Sequence, residues 1–307
     1  MAISRSQLAK ELEPGLNALF GLEYKRYENE AAEIFDQESS DRAFEEEVML
    51  GGFAGAPVKN EGASINYDTA QESFTARYTN ETIALAFAIT EEAVEDNLYD
   101  RVSARYTKAL ARSMANTKQV KGANILNNAF STNAANFGGD GVAFASTAHP
   151  TLTGGNFSNR SATDSDLNET SLEQAVIDVS NFIDERGLKI ALKPMKMIIP
   201  AALQFVADRL MNSDGRVGTA DNDINVFKAS RSNGYIPQGY SVNHYLTDTD
   251  AWFVKTDCPN GLKHFVRTPI TTAMEGDFDT GNMRYKARER YSFGFSDPRA
   301  IYASQGS

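Results

Sequence analysis

Between Arg77 and Gln119 the side-chain rhythm of this chain changes once, and abruptly. Up to Ile89 the residues alternate, with Ile83, Leu85, Phe87 and Ile89 on one face and Thr82, Ala84, Ala86 and Ala88 on the other, as in a strand. Beyond Thr90 the period becomes about four: Val94, Leu98, Val102, Tyr106, Leu110 and Met114 fall along one side of a helix. Thr90 is placed to cap that helix, with Glu91 and Glu92 in its first turn, where acid favours the helix dipole. Running from 91 to about 129, it would reach roughly 58 Å, longer than a small domain is wide. A ribbon strand set directly before so long a helix calls for a partner surface, because an isolated pair of strands is marginally stable and offers open edges.

The flanking segments fit around this pair. Residues 1–56 read as an N-terminal arm, with a short helix up to Pro14 and then amphipathic pieces carrying Leu16, Leu19, Phe20, Tyr24, Tyr27, Ile34 and Phe35. These apolar groups are too sparse for a core of their own, so they should lie on something else, another subunit being one option. The ribbon is assigned to 57–90, built from "SINYDTA" and "ESFTARYTNETIALAFAIT" with a break near Asn80. A Gly-, Ser- and Asn-rich loop covers 133–166, and a helix follows whose Thr170 and Glu173 have capping-box spacing and which Gly187 stops. "KMIIP" reads as a buried strand, Pro200 opens a helix to about Met211, and strands follow in "YSVNHYL", "AWFVKT", "LKHFVRTP" and the C-terminal stretch. Strands and helices without a regular βαβ rhythm make this an α+β chain.

At 307 residues the chain can bury one large core or two modest ones. No stretch is apolar enough for a membrane span and the N-terminus lacks a secretory apolar core, so synthesis in the cytosol is expected, with no membrane partner. A net charge of −11 argues against a protein whose main task is gripping nucleic acid. Much of the acid lies in "LEYKRYENEAAEIFDQESSDRAFEEEV", read as a solvated face or as a contact for a basic patch on a neighbouring subunit.

Chemistry is thinly represented. The single cysteine, Cys258, excludes an internal disulfide and a thiolate metal cluster and has no activating neighbour in sequence. Asp221, Asn222 and Asp223 lack the spacing of a calcium loop, and no phosphate-cradling glycine loop occurs. Ser146, His149 and Asp140 allow a hydrolase triad to be imagined, but no nucleophile elbow surrounds the serine. His244 and His264 read as sheet residues. We therefore assign no catalytic residue, cofactor or metal, and expect a structural protein rather than an enzyme.

The order of parts, together with "SSDRAFEEEVMLGGFAGAPVKNEGASINYD", "ITEEAVEDNLYDR", "DGVAFASTAHP", "RVGTADNDIN", "VNHYLTDTDAWFVKT" and "RYSFGFSDPRAIYAS", resembles the major capsid proteins of tailed bacteriophages, of the Hong Kong 97 fold and podovirus type. The resemblance covers nearly the whole chain. It implies an arm at 1–56, an E-loop ribbon at 57–90, a P-domain with the spine helix at 91–134, an A-domain at 135–262 and P-domain return strands at 263–307. It further implies hexamers and pentamers of an icosahedral shell that encloses double-stranded DNA without sequence-specific binding, in a virion assembled in the host cytoplasm. Partners would be further copies of the chain, a separate scaffolding protein, since Met1 leads almost directly into the arm, a portal and a decoration protein. Contacts between subunits are assigned to Leu12, Phe20, Tyr27, Phe35, Phe74, Arg77 and Tyr78. Packing of ribbon on spine is assigned to Ile83, Leu85, Phe87, Ile89, Val94, Leu98, Val102 and Tyr106. The type member welds its subunits through a lysine–asparagine bond; Lys59 lies near the ribbon, but no catalytic glutamate can be assigned, so no crosslink is expected. Alternatives are an encapsulin-like bacterial compartment of the same fold and, from another class, a Ser/His hydrolase.

Overall fold

The structure, a computed structural model, describes residues 5–90, 92, 99–215, 224–228, 235–277 and 281–307. Chain order begins with α1 (Arg5–Arg26), α2 (Glu30–Ile34), β1 (Asp36–Ser39), β2 (Phe44–Gly51), β3 (Gln71–Thr79) and β4 (Glu81–Ile89), followed by the long helix α3 (Tyr99–Asn127). The arm differs from expectation at once. One helix runs through Pro14 instead of stopping there. Proline removes one backbone hydrogen bond and crowds the preceding turn. Downstream of it, Leu16 and Phe20 bury against Leu110 and Met114 of α3 and Tyr285 of the sheet beneath, holding the helix in place. The arm therefore packs on its own chain's body, where its sparse apolar residues are sufficient because α3 supplies the other half of the core.

After α3 come β5 (His149–Pro150), β6 (Asn156–Phe157), α4 (Glu169–Ser180), β7 (Pro194–Ile199), α5 (Gln204–Asn212), β8 (Tyr240–Val242), β9 (Trp252–Thr256), β10 (Leu262–Gly276), β11 (Met283–Phe295) and β12 (Ile301–Ser304). Helix α4 is capped by Asn168 and Ser171 in a reciprocal box, not by Thr170 and Glu173, and it ends at Ser180, well before Gly187. Gly187 instead supplies a positive φ of 84° in the turn that follows.

Two four-stranded sheets organise the molecule. The first has the order β1-β10-β11-β4, with β1 parallel to β10 and the other pairs antiparallel. Pro269 lies within β10 between register shifts at Val266/Thr268 and Thr268/Thr271, the irregular setting in which a strand tolerates a residue without an N–H. The second sheet has the order β12-β9-β7-β8. Its core gathers Trp252, Tyr302 and Met197 with Leu172 and Val179 of α4 and Leu210 of α5. A further cluster, containing Phe35, Leu126, Phe144, Phe253, Phe293 and Ile301, joins the two sheets. Because β12 pairs with β9, the last strand belongs to the second sheet and not with the return strands β10 and β11.

The ribbon also departs from expectation. Strand β3 pairs with β2, from Phe44↔Thr79 to Gly51↔Gln71, so residues 52–70 form its tip. Strand β4 pairs with β11, from Ile89↔Met283 to Glu81↔Tyr291, and belongs to the first sheet. Alternation in "TIALAFAI" reports a strand with one face more covered than the other, and says nothing of which strand lies beside it. Among the described residues no helix is long and apolar enough to cross a membrane.

Candidate functional site

The root of the ribbon is a buried polar knot. Asn80, between β3 and β4, donates from Nδ2 to Ser40 Oγ (2.7 Å) and to the Arg42 carbonyl (3.0 Å), and its Oδ1 accepts from Ser292 Oγ (3.2 Å). Beside it, Lys263 of β10 is buried and pairs with Glu38 of β1 (2.9 Å) and with Glu47 of β2. Burial works against the Lys263 charge, but hydrogen bonds to Glu47 and Glu38 outweigh it and raise its pKa above the usual lysine value. Ser296 donates to Glu47 and shares a 2.5 Å hydrogen bond with the Tyr78 hydroxyl. The Tyr78 ring lies so close over Gly294 that a Cβ there would come within 2.6 Å of it. The ribbon is thus held at one angle to the first sheet.

Its tip is tied down at one point and otherwise bare. Asp68 accepts from the Ala54 amide (2.8 Å) and from Arg186 (3.0 and 3.1 Å), and these bonds, the Ala54 amide foremost, hold its carboxyl below the usual range. Beyond this tether, Val58 is 92% exposed and Tyr67 97%, with Phe53 and Ile65 also largely open. Apolar side chains grouped in this way on a projecting loop mark a surface for a partner.

Of the residues assigned to contacts between subunits, some are buried within their own chain and others keep exposed surface. Phe20 and Phe35 are buried in their own chain's core, and Tyr78 packs edge-on against Phe265 at 4.8 Å. Arg77 is exposed but engaged within its own ribbon, 3.9 Å above the Phe44 ring and 3.8 Å from Glu46. Phe74 is half-buried, and so is Tyr27, whose hydroxyl donates to Glu23. Of the aromatic residues chosen from the sequence, Phe20, Phe35 and Tyr78 are spent on the chain's own interior; the exposed tip residues Val58, Ile65 and Tyr67 were not singled out.

Where β4 meets the spine, Phe87 lies 5.7 Å from Tyr106 and 5.6 Å from Tyr285, ring to ring. Ile83 packs against the same cluster and Ile89 is buried, whereas Leu85 remains 46% exposed and Tyr106 52%. A strict four-residue stripe walks round a helix of 3.6 residues per turn, so Tyr106 lies at the margin of the face set by Ser103, Thr107, Leu110 and Met114. Val94 and Leu98 lie outside the described residues, as do the side chains of Leu12 and Val102 and the residues Asp221, Asn222 and Asp223. Beneath the spine, Glu289 is buried 3.5 Å from Lys118, and burial raises its pKa in spite of that lysine.

Much of the acidic stretch is paired within its own chain. Glu30 meets His244 (2.7 Å), Glu33 meets Lys196 (3.0 Å) and Asp36 meets Lys255 (3.2 Å), clamping α2 and β1 to the second sheet. Further along, Asp41 pairs with Arg267 and Glu46 with Arg77, while Glu38 and Glu47 share Lys263. His244 follows β8 in a loop instead of lying within a strand.

The geometry disposes of the triad. His149 is fully buried, stacked on Phe157, with Nδ1 2.5 Å from Asp140 and Nε2 3.1 Å from Asn159 Oδ1. Ser146 Oγ accepts from the Ala148 amide, and the imidazole nitrogen that would serve as its base faces Asn159. Burial, then the nearby Asp297 carboxylate, pushes the Cys258 thiol far above its ordinary value, away from the reactive thiolate. No cluster of metal-ligating side chains occurs among the described residues.

A ribbon standing out from a spine-backed sheet, with a second sheet domain beside it, is an arrangement found in solved shells. The virus-like particle from Pyrococcus furiosus is similar over 95% of this chain and 98% of its own, with a TM-score of 0.53 at 11% identity. The capsid of an empty GTA particle gives a TM-score of 0.56 at 14% identity, covering 91% and 90%. A structure from Mycobacterium phage Bobi gives 0.52 at 12%, covering 92% and 91%. Such identities establish the fold, which is of the Hong Kong 97 type. No curated protein matches the sequence. A family model described as phage capsid protein matches residues 73–304, from the middle of the ribbon to the final strand. By that match the chain belongs to the phage capsid protein family, and its role is that of a structural shell protein.

Proposed function

We propose that the chain is the major head protein of a tailed phage, forming hexamers and pentamers of an icosahedral shell that encloses double-stranded DNA. The observation that carries this reading is the tip at 52–70: a fixed, projecting loop with Val58 and Tyr67 almost wholly exposed needs a surface that one copy does not provide. In this reading the E-loop spans β2 to β3, the P-domain comprises α3, β4, β10 and β11, and the A-domain contains β7, β8, β9 and β12. A head-to-tail contact repeated by rotation closes into rings. Assembly takes place in the host cytoplasm, with a separate scaffolding protein, a portal and a decoration protein as partners.

A second reading, an encapsulin-like compartment, is favoured by the likeness to the Pyrococcus furiosus particle over nearly the full length of both chains. Electron microscopy of the purified chain tests both. Closed shells are expected, and particles recovered from infected cells should contain DNA. Shells filled with a protein cargo would favour the compartment, and a monomer at every concentration would overturn both.

A further inference from the structure

Residues 52–70 connect β2 to β3 and carry Val58, Ile65 and Tyr67. A loop of that length, with neither strand nor helix inside it, is loose unless something fastens it. Fastening comes from a single carboxylate. Asp68 Oδ2 accepts from the Ala54 amide (2.8 Å) and Oδ1 from the Thr69 amide (2.9 Å), so it draws the two limbs of the loop together around 55–67. Arg186 Nη2 reaches both carboxylate oxygens, at 3.0 and 3.1 Å, and ties the closed loop to the body. Among the described residues this is the one ion pair between 52–70 and the rest of the chain. On the β2 side the last support is Leu152, which lies over Gly51 so closely that a Cβ there would collide with it.

The turn that presents Arg186 is rigid for reasons that do not involve the ribbon. Asp184 Oδ1 accepts from the amides of Arg186 (2.8 Å) and Leu188 (2.7 Å), the Asp184 amide donates to the Leu188 carbonyl (2.8 Å), and Ile183 bridges to Lys189 across the base of the turn. Underneath, the buried Arg299 holds Glu185 Oε1 and the Ile183 carbonyl. The Arg186 side chain is 19% exposed and that of Asp68 38%. An arginine anchored in this way has little freedom left to lose on pairing, so the pair escapes part of the ordering cost that makes most surface ion pairs weak. It remains within reach of water, so salt weakens it.

We propose that Arg186 is a positioning residue for assembly: by clasping Asp68 it holds the tip, with Val58, Ile65 and Tyr67, in the arrangement that a second copy receives. The inference rests on the reading of the tip as a contact between copies. A tip ordered in advance binds without a further loss of freedom. A loose one must be ordered at each contact, and binds more weakly by the fraction of time it holds the right shape. Arg186 acts through Asp68 and Ala54 and needs no contact of its own with the second copy.

The test compares wild type with Arg186→Gln and Asp68→Asn, which break the ion pair from either side. In the unassembled chain at one pH and low salt, millisecond hydrogen exchange of 53–70 should be about threefold faster in both variants, the scale of an exposed ion pair, while β9 exchanges as in wild type. Raising the salt to about 1 M should bring wild type up to the variants and leave the variants where they are, a response that a merely structural role for Arg186 would not produce. The concentration at which shells appear in light scattering should be higher for both variants by about the same threefold. Equal tip exchange in all three proteins overturns the clasp. A loosened tip with an unchanged or lowered threshold for shells overturns the role in assembly. No shells from wild type at any concentration overturns the shell reading itself, and is told apart because the exchange measurement needs no shells.

Discussion

Asn80 donates to Ser40 across 2.7 Å, and with that bond the two ends of the ribbon close on each other. Ser40 lies in the turn that feeds β2, and Asn80 separates β3 from β4, so one side chain fixes where the ribbon leaves the sheet. Asn80→Ala deletes both Nδ2 bonds and leaves Ser292 without its acceptor in a buried site. A loss of about 1–3 kcal/mol is expected. Urea denaturation checks the value, and hydrogen exchange should show faster opening in 71–79 than in β9.

Arg299 is the second buried knot. It donates to Glu185 Oε1 (2.7 Å), Asp297 (3.2 Å) and the Ile183 carbonyl (2.6 Å), and its guanidinium lies 4.1 Å above the Phe157 ring. Arg299→Met strands the buried Glu185 carboxylate, and a loss of about 3–5 kcal/mol is expected. Adding Glu185→Leu should restore a substantial part, because the penalty lies mainly in the orphaned charge. Denaturation midpoints of the single and double variants decide it. A double variant no more stable than Arg299→Met would show instead that the ion pair itself carries the stability.

What the sequence disclosed and what it withheld divide along the range of the interactions. Leu110 and Met114 are read correctly as buried because 3.6-residue periodicity is local, and "KMIIP" and "AWFVKT" show their strands by composition alone. The partner of β3 was not legible, since pairing with β2 is settled by Lys263, Glu47 and Tyr78, which lie up to 216 residues apart. The fate of the arm was equally hidden: nothing in Leu16 or Phe20 tells whether the covering surface belongs to the same copy or the next. Arg299 gives no local signal at all, because its partners Glu185 and Ile183 become neighbours only in the fold.

His264 makes the protein sensitive to acid. Its ring stacks on Phe293 at 4.2 Å and its Nε2 is buried without a partner. Burial, helped by the Lys118 charge, lowers its pKa from 6.5 to about 3. Between those values the unfolded chain binds the proton and the folded chain does not, so stability falls as pH drops from 6.5 towards 3. At about pH 5 the penalty is roughly 2 kcal/mol. His264→Phe keeps the stack and removes the titration, so it should be more stable than wild type at about pH 5 by that amount, with the difference shrinking above pH 6.5. Glu289, whose raised pKa acts in the opposite direction, is present in both proteins and cancels from the comparison. Parallel pH–stability curves for the two would remove His264 as the source.

The tip of the ribbon allows assembly to be separated from folding. Removing 68–80 would be a poor test, because it takes away Tyr78 and Asn80 and with them the root of the ribbon. Val58, Ile65 and Tyr67 are the better targets, being open to solvent and taking no part in the Asp68 tether to Arg186. Exposed substitutions of this kind change stability by about 0.5 kcal/mol or less. The triple variant Val58→Asp, Ile65→Asp, Tyr67→Ser should therefore melt as wild type does. An apolar contact with a second copy would meanwhile lose its buried area and acquire two desolvated carboxylates, each costly unless paired. The variant should remain a discrete small species in light scattering under conditions where wild type forms shells. Normal shells from it would place the contact between copies elsewhere on the molecule, with the exposed Leu22 of α1 the next apolar surface to substitute.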